Sequence, residues 1–147
     1  MDDPRRYPER PFLAVSAAVI REGRVLVVRR ARAPAFDLFT LPGGAVETGE
    51  TLAQAVAREV AEETGLVIEP VALAGYREVI NRDAAQRVER HFVILAFAAR
   101  WQGGDVRLNA ELAEARWVYP EELVALSTTE GLADIVQAAF ERVEASS

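Results

Sequence analysis

The run GAVETGETLAQAVAREVAEETGL, residues 44–66, constrains this chain more than any other stretch. Thr51 with Gln54 three residues later has the spacing of a capping box. Leu52, Ala55, Val56 and Val60 recur at helical spacing. The pattern predicts a helix that opens at Thr51 and stops at Gly65. On that helix Glu59 and Glu63 are i and i+4, and Glu62 is i+3 from Glu59, so three carboxylates project from one side. Like charges at this spacing destabilise an isolated helix. An acidic helix face is ordinarily just a solvated one. Here, however, Pro42-Gly43-Gly44 leads into it, and glycine backbone of that kind can approach a metal or phosphate closely. Arg58 stands beside the first of the three glutamates. A divalent cation would neutralise such a cluster, and carboxylate oxygens suit Mg²⁺ or Mn²⁺.

Charge sharpens the point. The formal net charge is −6, which argues against non-specific binding to a nucleic-acid backbone. An acidic protein that handles an anionic substrate needs metal ions or local positive charge. Cysteine is absent, which excludes a thiol nucleophile and a thiolate metal site and suits a reducing cytoplasm. The 147 residues fit one domain, 1–147, with residues 1–11 as an N-terminal arm or clasp. The N-terminus has no apolar signal region and no stretch is apolar enough to span a membrane, so a cytoplasmic location is expected. Residues 12–20 and 24–30 read as a hairpin turning at Arg21-Glu22-Gly23. Strand-like runs follow the helix at 67–68, 71–80 and 89–101, with 81–88 a polar connection, and a short strand is expected at 116–119. Pro120 opens a helical turn to Leu123. A last helix is expected over 129–143, capped near Thr128 or Thr129. Alternation of this kind predicts an α/β layer sandwich with a mixed sheet.

The segment resembles the Nudix box, G-x5-E-x7-R-E-U-x-E-E-x-G-U with U a bulky aliphatic residue. Gly44, Glu50, Arg58, Glu59, Val60, Glu62, Glu63, Gly65 and Leu66 meet every defined position. At ordinary residue frequencies a chance match is on the order of one in a million. The resemblance implies an α/β/α sandwich of Nudix type, with a mixed, mainly antiparallel-edged sheet. It also implies Mg²⁺-dependent (or Mn²⁺-dependent) hydrolysis of a phosphoanhydride in a nucleoside diphosphate linked to another moiety, such as a nucleoside triphosphate, ADP-ribose or a nucleotide sugar.

By that resemblance Glu59, Glu62 and Glu63 are metal ligands, joined by the Gly43 carbonyl, and Arg58 orients a glutamate through a charge-assisted hydrogen bond. Glu50 holds the loop or reaches a metal through water, and is also a candidate substrate contact. Family members differ in the general base: it is either a box glutamate such as Glu62 or Glu59, or a later carboxylate. In the stretch NAELAEARW the later candidate is Glu111, as ligand or base, with Glu114 its rival. Arg29, Arg30 and Arg32 are candidates for a phosphate contact, and Phe36 and Phe39 for stacking on a base. The expected partner is a small-molecule nucleotide and not a membrane; the net charge and the lack of a basic tract disfavour nucleic acid without excluding a nucleic-acid-processing member, and a homodimer is an open arrangement. Members that cut ADP-ribose often carry a proline about fifteen residues past the box. Ile80 and Asn81 stand there instead, so ADP-ribose is not expected to be the sole good substrate. The rival class is a non-catalytic nucleotide-sensing module on the same fold, against which the intact glutamates speak. A phosphate-binding-loop NTPase is excluded because no Gly-rich run ending in Gly-Lys-Ser/Thr is present.

Overall fold

The computed structural model describes residues 4–147. The hairpin forms as expected: β1 (Phe12–Arg21) and β2 (Arg24–Arg30) pair antiparallel, with Arg21 opposite Arg24. Glu22 and Gly23, with φ of 51° and 78°, make the two-residue turn, whose left-handed backbone matches the twist of the strands. β1 keeps β2 as a partner only at its far end. Along its first half its neighbour on that side is β4 (Gly43–Ala45), with Ser16 opposite Gly43 and Ala14 opposite Ala45. This fork brings the Pro-Gly-Gly loop against the middle of the sheet.

The remaining elements are β3 (Phe39–Thr40), α1 (Leu52–Thr64), β5 (Val67–Arg82), β6 (Val88–Gly103), β7 (Leu112–Val118), a 3₁₀ turn at Pro120–Ala125 and α2 (Leu132–Ala145). Among the described residues the strands form one seven-stranded sheet in the order β3-β2-β1-β6-β5, with β4 beside β1 and β7 beside β2. β1 and β6 run parallel and the other pairings are antiparallel. The sheet is therefore mixed, as the sequence predicts. Residues 14–19 of β1 are all buried, because helices cover both faces. Val15, Ala17 and Val19 join Val56, Val60 and Leu66 on the α1 side. Ala18 joins Ala96, Ala98, Leu132, Val136 and Ala139 on the α2 side. Burying a valine such as Val60 contributes roughly 1.5–3 kcal/mol. No helix of the described residues is long and apolar enough to cross a membrane.

Four boundaries differ from the sequence reading. β5 is a single strand through Pro70, where the register shifts between Pro70 and Ala72. It lies at the sheet edge, where proline and bulges are tolerated. The 81–88 connection shrinks, because Asn81 pairs with Arg90 and Arg82 with Val88. β7 starts at Leu112, four residues early, held by β2 through Arg30. α2 starts at Leu132 with Gly131 as its cap, and no side chain caps it. Thr129 is engaged elsewhere: its N–H donates to the Phe39 carbonyl (3.0 Å) and its hydroxyl to Thr40 (3.1 Å).

The expected N-terminal clasp covers residues 1–11, of which 1–3 lie outside the described residues. Tyr7 anchors the remainder: its N–H donates to the Glu89 carbonyl and its hydroxyl to Asp83, each at 2.8 Å.

Candidate active site

Helix α1 is held at both ends as its sequence predicts. The Gln54 N–H donates to the Thr51 hydroxyl (3.1 Å), and the Thr51 N–H donates to the Gln54 side chain (2.9 Å). Gly65 closes the helix in the left-handed region at φ 79° and donates to the Ala61 carbonyl. Val56 and Val60 point into the core, which turns the glutamate side of the helix toward β4.

Arg58 is the hub. Its Nε and Nη2 donate to the two oxygens of Glu50 at 2.7 and 2.8 Å, a bidentate pair. Nη2 also donates to the Ala45 carbonyl (3.0 Å), while Nη1 donates to Glu59 (2.7 Å) and Glu62 (3.2 Å). One guanidinium thus fixes the loop to the helix and orients two of the three glutamates. Arg58 and the Glu47 N–H hold the Glu50 carboxyl down at about 2, so Glu50 is a permanent anion in this clasp.

Gly43 is required by close approach to backbone, and Gly44 lies in close contact with a carboxylate. A Cβ on Gly44 would lie 2.0 Å from Oε2 of Glu59, and one on Gly43 would lie 2.0 Å from the Val15 carbonyl oxygen. The Gly43 N–H donates to Oε1 of Glu63 at 2.9 Å. Glu63 is only 3% exposed. Burial pushes its carboxyl up to about 7, against the Gly43 N–H and the Arg30 charge, and the charges of Glu111 and Glu59 push the same way. Burial also raises Glu59, with Arg58 opposing.

The structure brings Glu59 and Glu63 together at Gly43 and Gly44, with Glu111 close enough to act on Glu63. Glu62 sits at the rim, its side chain 59% exposed. Among the described residues no three His, Cys, Asp or Glu side chains close around a point as a metal cage would; Arg58 bonds one oxygen each of Glu59 and Glu62. The donor set nonetheless fits a hard divalent cation: it consists of oxygens, and two of its carboxylates are raised by burial that a cation would offset.

Other sequence candidates fall differently. Arg29 is bonded to Asp37 (2.6 Å) and Glu114 (3.2 Å), so its charge is committed across β2 and β7 and it is not a cavity residue. Glu114 also bonds Arg116, and it is not among the residues that line the cavity. Phe39 is 6% exposed and packs in the α2-side core; it is a core residue, because β3 turns it inward. Phe36 is 65% exposed. Arg30 lines the site, its Nε donating to the Pro34 carbonyl at 2.8 Å.

A cavity of about 330 Å³ runs from Glu63 and the Gly43–Ala45 strand across β1 and β6 to β5. Arg5, Arg77, Asn81 and Glu130 also line it; of these the sequence points only to Asn81, as one of the residues standing where a proline is often found, and to none of them as a substrate contact. The available signal for Arg77 was its alternation with Gly75 and Val79 along one face of a strand.

Relatives carry the same framework. A family model described as the NUDIX domain matches residues 10–139. An ADP-ribose pyrophosphatase of Methanocaldococcus jannaschii is 33% identical over 107 residues, covering 73% of this chain and 61% of that protein. A MutT-like protein of Streptomyces ambofaciens is 36% identical over 126 residues, covering 84% of this chain and 75% of that protein. The crystal structure of a MutT NUDIX hydrolase from Burkholderia pseudomallei superposes with a TM-score of 0.69 at 30% identity, covering 92% of this chain and 99% of that one. A complete box, folded so that its arginine clasps its glutamates beside two closely packed glycines, and a family match across most of the length lead to one assignment: the chain belongs to the Nudix hydrolase family.

Proposed function

We propose that this protein hydrolyses a phosphoanhydride bond in a nucleoside diphosphate linked to another moiety, with Mg²⁺ (or Mn²⁺) bound at Glu59, Glu62, Glu63 and the Gly43 backbone. The observation that carries this reading is the pair Glu59 and Glu63, half-buried and buried against Gly43 and Gly44 at the end of a nucleotide-sized cavity. Bound divalent ions would supply charge neutralisation at phosphorus and a more acidic water. Arg58 holds Glu59 and Glu62 in place and keeps Glu50 ionised. Glu111 accepts the proton of the attacking water. It is exposed, near Glu63, and its backbone is fixed by the Ala31 N–H at 2.8 Å. The water oxygen bonds to phosphorus, the bridging P–O bond breaks, and its electron pair leaves with the departing phosphate. Arg30 supports the phosphates. The lack of cysteine suits a cytoplasmic setting.

The test is a panel of nucleoside triphosphates, ADP-ribose, dinucleoside polyphosphates and nucleotide sugars, read by product chromatography with Mg²⁺ and with EDTA. The expected result is metal-dependent cleavage between phosphorus atoms, with ADP-ribose among several substrates. Full turnover in EDTA refutes the metal reading. ADP-ribose far above all else refutes the breadth. Binding without turnover of any compound points to a sensing module.

A further inference from the structure

A row of residues leads from the glutamates to the far end of the cavity. The strand register places Ala45, Ala14, Ile94 and Arg77 in one row across β4, β1, β6 and β5. Three strand spacings separate the ends of that row, about 14 Å, comparable to an extended nucleoside diphosphate. Between them the surface is small and apolar: Ala14 and Ile94, with Phe92 and Val79 beside them. Arg77 is half-buried at the end of the row. Among the described residues its guanidinium makes no hydrogen bond or ion pair, and the charge that acts on it is that of Glu130. Glu130 is exposed, and its backbone is set between Thr129, bonded to β3, and Gly131, which heads α2.

We propose that Arg77 and Glu130 bind the nucleobase of the substrate, and that they select a base carrying an amino group. This rests on the hydrolase reading above. A partly desolvated guanidinium with free donors needs acceptors, and its flat face stacks well. A phosphate would satisfy Arg77 alone. Glu130 beside it and the apolar floor disfavour a doubly charged group there. A base with an amino group satisfies both side chains: a ring nitrogen or carbonyl accepts from Arg77, and the amino group donates to Glu130. The floor of Ala14 and Ile94 meets the face of the ring.

The experiment is a metal-free equilibrium titration with adenosine 5′-monophosphate and with ribose 5-phosphate, using wild type, Arg77→Met, Arg77→Lys and Glu130→Gln. Melting curves confirm that each variant is folded. Wild type is expected to prefer the nucleotide at least ten-fold. All three variants should lose most of that preference while ribose 5-phosphate binds as before. Arg77→Lys is the decisive variant, because it keeps the charge but loses the planar fork. Equal weakening of both ligands by Arg77→Met, rescued by Arg77→Lys, makes Arg77 a phosphate ligand and overturns the proposal. Preference unchanged in the variants, or absent in wild type, also overturns it. Because the titration needs no turnover, a wild type that prefers the nucleotide but hydrolyses no member of the substrate panel rejects the hydrolase reading and leaves the base site standing.

Discussion

Replacing Glu63 by Gln stabilises the metal-free protein, and does so increasingly as pH rises. Glu63 is buried, and its carboxyl is pushed from 4.5 to about 7. The folded-state value is raised, so folding favours the protonated acid. Its stabilising contribution is full below 4.5 and is lost as pH climbs through 7. At 1.36 kcal/mol per pH unit of displacement, the ionised form costs the folded protein about 3 kcal/mol at pH 8, under about 1 kcal/mol at pH 5, and almost nothing at pH 4. Glutamine is nearly isosteric, stays neutral, and its oxygen can still accept from the Gly43 N–H. A domain of this size gains about 2–4 °C per kcal/mol. Thermal melts in EDTA should therefore show Glu63→Gln higher by about 6–12 °C at pH 8 and almost level with wild type at pH 4. A variant that melts below wild type at pH 8, or a difference independent of pH, refutes the view of Glu63 as a buried acid held against its charge.

Further perturbations bear on other parts of the site. Gly44→Ala places a methyl group onto the Glu59 carboxylate, so activity should fall at least a hundred-fold while circular dichroism still reports a folded chain; near-normal turnover contradicts the close-approach account. Arg58→Lys removes the bidentate hold on Glu50 and should lower both kcat and Tm, with an unaltered Tm marking the clasp as dispensable. Val60→Ala hollows the α1-side core and should cost about 2–3 kcal/mol, measured by urea unfolding, with a small loss indicating that the helix repacks. Lowering the pH through 7 should protonate Glu63 and weaken Mg²⁺ binding, seen as a falling metal affinity in calorimetry between pH 8 and pH 6; affinity flat across that range argues against Glu63 as a ligand.

Local signals made part of this molecule legible. Helix α1 carries its own start at Thr51 and stop at Gly65, and both form as the spacing predicts. The hairpin at Glu22 and Gly23 is equally local. The glutamates are legible as a group because one helix places all three. Features set by distant partners were not legible. The parallel pairing of β1 with β6 leaves no mark on either strand. Thr129 resembles a helix cap until β3 takes its N–H and hydroxyl. Pro70 resembles a strand break until the strand proves to be an edge. Arg29 and Arg77 are both strand arginines, and only the tertiary fold decides that one meets Asp37 and Glu114 while the other faces the cavity. The box lies within one helix and loop, whereas the far end of the cavity is assembled from β1, β5, β6 and the turn before α2.

The most direct test of the central claim is hydrolysis of ADP-ribose or a nucleotide sugar in isotopically labelled water with Mg²⁺, comparing wild type with Glu59→Gln. The account predicts one heavy oxygen in a phosphate of a product, none in the sugar, and turnover lost in folded Glu59→Gln. Label in the sugar hydroxyl, or undiminished turnover by the variant, would contradict attack of water on phosphorus at this glutamate site.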